Sequence, residues 1–162
     1  WTCSFSVVAY ISEGNMYDMY NTYIKLIDNY IKNNLYVITN KFPSITQYYT
    51  RDREYFCGLM FGTEKPSGRG LSNETMCDLL GYKEISVSSF SDAQAKYNEI
   101  RKNSKCPIIA TGKNAEGQHC AILTGFKNSK KHGLQIQTSN PGGTASELIS
   151  VQSLLIPSSI DL

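Results

Sequence analysis

Five cysteines (Cys3, Cys57, Cys77, Cys106 and Cys120) and two histidines (His119 and His132) hold most of the reactive chemistry open to this chain. The odd cysteine count leaves at least one thiol free in a monomer. No two cysteines are spaced C-x-x-C, and a zinc site would have to gather scattered ligands, so no metal is expected. A free thiol with a histidine far downstream suits another use, nucleophile and base.

The two clearest strand patterns, Gln118 to Phe126 and Gly133 to Ser139, flank a turn that runs from Lys127 to Gly133. A simple hairpin about its centre pairs residues whose numbers sum to about 259. His119 and Asn140 meet that condition at the open end, away from the turn. Asn140 also shares its face with Leu134 and Ile136, and a slip of one residue would undo the match. An imidazole that takes a proton from a thiol must be held in one tautomer and one orientation. An amide oxygen that accepts a ring N–H does this without adding charge. Cys3 is the candidate thiol, at or near the start of the first helix. The partial positive charge of a helix N-terminus favours a thiolate there.

The elements that must position these groups are legible in outline. Residues 3 to 11 read as a short helix, although Val7, Val8 and Ile11 would also suit a strand. Met16, Met19, Tyr20, Tyr23, Ile24, Ile27, Tyr30 and Ile31 form one stripe of a longer helix. Leu35 to Thr39 is a short strand candidate, and Lys65 to Gly70 is a loop. Ser72 reads as an N-cap and Gly81 as a C-terminal glycine, with Met76, Leu79 and Leu80 toward the core. A third helix is expected with Ser91 as cap, Gln94 at capping-box spacing and Phe90 stapled to Ala95. Ala93, Tyr97 and Ile100 share one of its faces. Strands follow at Pro107 to Thr111, Gln118 to Phe126, Gly133 to Ser139 and Glu147 to Leu155. Helices first and an antiparallel sheet second make an α+β arrangement.

The chain has 162 residues, of which 41% are hydrophobic and 19% charged, with a net charge of +2. That length favours a single domain able to bury a core without staples. The charge offers no broad basic field, so nucleic acid is not an expected partner. The longest nearly unbroken apolar run, Val7 to Ile11, is far short of a membrane span. The chain opens at Trp1 without a basic signal-like segment, as a mature protein or an excised domain would. Eleven tyrosines and few charges point to a secreted or cell-surface protein.

Three short motifs resemble the papain-like cysteine peptidases, most of all their compact bacterial staphopain-like branch. Trp1-Thr2-Cys3 before a helix resembles the aromatic start around their nucleophile. The run from Gly117 to Phe126 resembles their glycine-x-His-apolar strand, and Ser139-Asn140-Pro141-Gly142-Gly143 resembles the Asn turn that ends the next strand. The layout matches over nearly the whole chain. The resemblance implies a papain-like two-lobed fold within one catalytic domain, 1–162. A helical lobe of about residues 1–104 would carry Cys3, and a sheet lobe of about 105–162 would carry His119 and Asn140. It implies hydrolysis of a protein or peptide substrate, with no cofactor, and a propeptide or proteinaceous inhibitor as further partners. The Cys3 N–H would form part of an oxyanion hole, completed by a glutamine upstream of Trp1. Gly68 and Gly70 would expose backbone groups to an extended substrate. Gln118, where relatives carry a small residue, either crowds the site or donates a hydrogen bond.

Each feature alone has a plain structural explanation: a core thiol, a satisfied strand-end histidine, an ordinary Asn-Pro-Gly-Gly turn. Their order and the hairpin arithmetic together favour catalysis. The remaining cysteines sit in apolar or strand contexts and read as inert thiols. Cys120, on the opposite strand face from His119, is not a candidate nucleophile. Two rivals remain: a papain-fold deamidase or acyltransferase with the same triad, and an inactive secreted interaction domain.

Overall fold

The computed structural model describes residues 3–13, 22, 25, 71–141, 143 and 145–162. The long helix expected over 16–31 lies outside them, apart from Thr22 and Lys25, which are helical. The strand expected over 35–39, the loop 65–70 and Cys57 also lie outside. The described elements are α1 (Cys3–Glu13), α2 (Asn73–Leu80), β1 (Tyr82–Ser86), α3 (Phe90–Arg101), β2 (Ile109–Asn114), β3 (Gly117–Ser129), β4 (Gly133–Ser139) and β5 (Ser150–Pro157). They make an α+β unit whose five strands lie in the order β1-β5-β2-β3-β4, every neighbouring pair antiparallel. Among the described residues no helix is long and apolar enough to cross a membrane.

Both faces of the sheet are covered, and the sequence carries the mark of it. Ile108, Ala110, Leu123, Ile136, Leu154 and Ile156 pack with Ala93 and Ile100 of α3. Ile109, Cys120, Ile122 and Leu155 pack on the other face with Val7 and Val8 of α1 and Met76 and Cys77 of α2. The inner strands therefore bury consecutive residues, Cys120 to Leu123 on β3 and Leu154 to Ile156 on β5. Alternation is lost where both sides are apolar.

Cap chemistry sets the helix ends. Ser72 accepts from Thr75 N–H at 3.1 Å, Glu74 lies in the first turn of α2, and Gly81 closes the helix at φ 69°. Of the expected core side of α2, Met76 is buried, but Leu79 is 50% exposed and Cys77 takes the inner position. The cap of α3 is Ser89, not Ser91. Ser89 Oγ accepts from Asp92 N–H at 3.1 Å, and Asp92 reaches back to Ser88 N–H at 2.9 Å. The acid at that spacing makes the reciprocal bond and also faces the positive end of the helix, which Gln94 could not do. Phe90 thus lies within the helix and packs on the core rather than stapling from outside it.

β1 is a strand that the hydrophobic pattern does not announce. It carries Lys83 and Glu84, has no fully buried residue and, among the described residues, forms an edge paired only with β5. Charged side chains are usual on an edge strand and blur its alternation. The sheet therefore takes a strand from before residue 105, and α3 packs on it as well.

Candidate active site

α1 begins at Cys3 and is buried along Ser4 to Ala9. Val7 and Val8 seat it against β3 and α2. Leu71 N–H donates to the buried Ser4 Oγ at 2.8 Å and ties the entry to α2 beside Cys3. Cys3 itself is partly exposed and reduced.

His119 stands near the start of β3. The β2–β3 hairpin turns through Ala115 and Glu116, with Asn114 paired to Gly117 and Asn114 Oδ1 accepting from Glu116 N–H at 2.9 Å. Gly117 adopts φ 126°, open to glycine at little cost. Two residues on, His119 pairs with Gly112 of β2. A Cβ at Gly112 would collide with the backbone carbonyl of Ser150, so this glycine lets β5 approach closely behind the histidine.

Asn140 leaves β4 into a turn closed by Gly143 N–H to Asn140 C=O at 3.1 Å. The β3–β4 hairpin differs in register from the simple one. Ser129 pairs with Gly133 and Phe126 with Ile136, so the turn is centred later than residues 129 and 130. That shift alone would put Asn140 opposite Ile122, on the wrong parity. A bulge between Leu123 and Gly125 moves the pairing by one, to Leu123 with Thr138 and Ile122 with Ser139. One step further sets Asn140 opposite Ala121, diagonal to His119 and of its parity. The side chains meet: His119 Nε2 is 2.6 Å from Asn140 Oδ1. With Nε2 committed to the amide, Nδ1 is the nitrogen left for Cys3, the group that chiefly raises the His119 pKa.

Cys3, His119 and Asn140 thus come together. Their electrostatics are those of an ion pair. The Cys3 thiol is lowered to about 4, chiefly by a hydrogen bond from the Cys120 side chain. Burial opposes this, and His119 and the Cys120 backbone add to it. His119 is raised above its ordinary value, first by Cys3, against burial, and then by Asn140. A thiolate and an imidazolium that stabilise each other move in these two directions.

Cys120 is the residue that the sequence reading passed over. Alternation does put it on the α1-covered face, but Cys3 sits at the edge of that same face. Their sulfurs lie 3.4 Å apart. The signal was present in the consecutive apolar run after His119, which implies a helix on each side of β3. Gln118, expected near substrate, is exposed and pairs across the hairpin with Lys113. Gly68 and Gly70 lie outside the described residues. Cys77 is buried, and burial holds its thiol above the ordinary value, as an inert packing residue requires.

No protein-family model matches this chain, and no curated protein or solved structure matches it either.

Proposed function

We propose that the protein is a cysteine peptidase with a Cys-His-Asn mechanism on a papain-like two-lobed fold. One observation carries the reading: a single histidine, 2.6 Å from an asparagine oxygen, and a low-pKa thiol at a helix start shift each other's titration as an ion pair does. A merely structural histidine needs no activated thiol beside it.

The chemistry follows from the geometry. The Cys3 thiolate attacks the peptide carbonyl, and the oxyanion forms beside the Cys3 N–H at the positive end of α1. His119, as imidazolium, gives its proton to the leaving amine, and a thioester remains. Neutral His119 then takes a proton from water as the water attacks the thioester. The acid product leaves, and the thiolate–imidazolium pair returns. Asn140 holds the ring throughout, so that the same nitrogen faces sulfur, amine and water in turn.

The test is mass spectrometry of a peptide mixture incubated with wild type and Cys3→Ala. New termini formed by wild type alone support the peptidase. A mass gain at glutamine without cleavage would turn the assignment to a deamidase. No product, together with ordinary thiol reactivity at Cys3, would leave an interaction domain.

A further inference from the structure

The buried thiol of Cys120 has no part in the three-residue mechanism, yet it touches the nucleophile. Its sulfur lies 3.4 Å from Cys3 Sγ, with Cys120 as donor. A disulfide would bring the sulfurs to about 2.0 Å, so this is a hydrogen bond between two separate groups. Cys120 is only 5% exposed and packs among Val8, Ile109, Ile122 and Leu155. An apolar setting disfavours a second thiolate, and the neighbouring Cys3 charge disfavours it further, so Cys120 stays a thiol well above its ordinary range. It is thus the member of the pair that keeps its proton. Among the described residues, Cys77 of α2 and Tyr82 of β1 are the other titratable groups of the apolar cluster on this face, and the N-terminal amine also favours the Cys3 thiolate. Burial raises Cys77 and Tyr82 above their ordinary values, so they stay neutral while the thiolate forms. His119, from β3, is the proton-bearing partner on the other side of Cys3.

We propose that Cys120 is a positioning residue for the nucleophile: its buried S–H donates to Cys3 Sγ, stabilising the thiolate and aiming it between two donors, Cys120 and His119. The inference rests on the peptidase reading of Cys3. A thiolate held by His119 alone would take up its proton earlier on acidification and could swing about the Cα–Cβ bond. A second donor from the sheet fixes the sulfur and extends the ion pair further into acid.

The experiment compares wild type, Cys120→Ala and Cys120→Ser as full chains under reducing conditions. The rate of Cys3 alkylation by iodoacetamide is followed against pH by mass spectrometry of the N-terminal peptide, with thermal unfolding as a check on folding. Wild type should label with an acid midpoint near about 4. In Cys120→Ala that midpoint should rise by about one pH unit, a tenfold loss of labelling rate below it. Cys120→Ser, which keeps a donor, should remain close to wild type. An unchanged acid midpoint in Cys120→Ala, or a Cys120→Ser midpoint displaced like that of the alanine variant, would overturn the proposal. If Cys120→Ala does not fold, the serine midpoint alone decides. A wild-type Cys3 that labels only in the ordinary thiol range would overturn both this inference and the peptidase reading, whereas an activated wild-type thiolate insensitive to Cys120→Ala would remove only this one.

Discussion

Three side chains carry the proposed reaction, and their roles separate by chemistry. Cys3→Ala removes the nucleophile and should abolish peptide turnover while the melting temperature stays near wild type. Asn140 only orients, so Asn140→Ala should lower kcat by roughly ten- to a few-hundred-fold, about 1.4–3 kcal/mol on the barrier. The pH profile follows from the two shifts. Cys3 is depressed to about 4, so activity should appear as pH rises through that value. His119 is raised above 6.5, so imidazolium, and with it activity, should be lost only at some pH above 6.5. Asn140 contributes to that rise. Asn140→Ala should therefore move the alkaline limb down, and Asn140→Asp, with a negative charge beside the ring, should move it up. A pH-rate series on one peptide substrate compares wild type with both Asn140 variants, and an unmoved limb in both would detach this residue from the histidine.

At the scale of elements, two glycines separate stability from site geometry. Gly81 ends α2 at φ +69° with open space around it. Gly81→Ala should cost about 1–2 kcal/mol through the left-handed backbone alone and leave activity unchanged. Gly112 lies beside a register shift between β2 and β5 and directly across from His119. Gly112→Ala must push the Ser150 backbone away. It should cost about 1–3 kcal/mol in urea unfolding, as overpacking does, and should also lower kcat by displacing the histidine strand. Equal loss of stability with full activity would mean that β2 does not hold His119 in place.

On the scale of the whole molecule, the sheet is a wall between two apolar layers, and only one of them holds the nucleophile. Leu154 and Leu155 are adjacent and fully buried, but Leu154 packs on the α3 side and Leu155 on the side of α1 and α2. Each leucine-to-alanine change should cost about 2–5 kcal/mol. Leu155→Ala should in addition slow Cys3 alkylation, because it loosens the seat of α1. Leu154→Ala should leave the labelling rate of the folded protein unchanged. If both variants label alike, the α1 layer does not govern the placement of Cys3.

Local rules wrote much of this protein in its sequence. Ser72 and Gly81 bound α2 because capping needs only a side-chain oxygen and a left-handed glycine within a few residues. The limits of β4, Gly133 to Ser139, follow from alternation between turn residues. The pairing of His119 with Asn140 was reached from hairpin parity, although through a register that the protein does not use. The later turn and the bulge near Thr124 offset each other in parity, and no local pattern announces a bulge. The cap at Ser89 was missed because two serines compete there, and only the Asp92 bond back to Ser88 chooses between them. β1 was missed because an edge strand need not be apolar. The contact between Cys3 and Cys120 joins residues 117 positions apart. It depends on which face of the sheet α1 covers, and that is decided by the packing of Val7 and Val8 against Ile122 and Leu155. Periodicity tells which side of an element is apolar; only the closed core tells which two apolar sides meet.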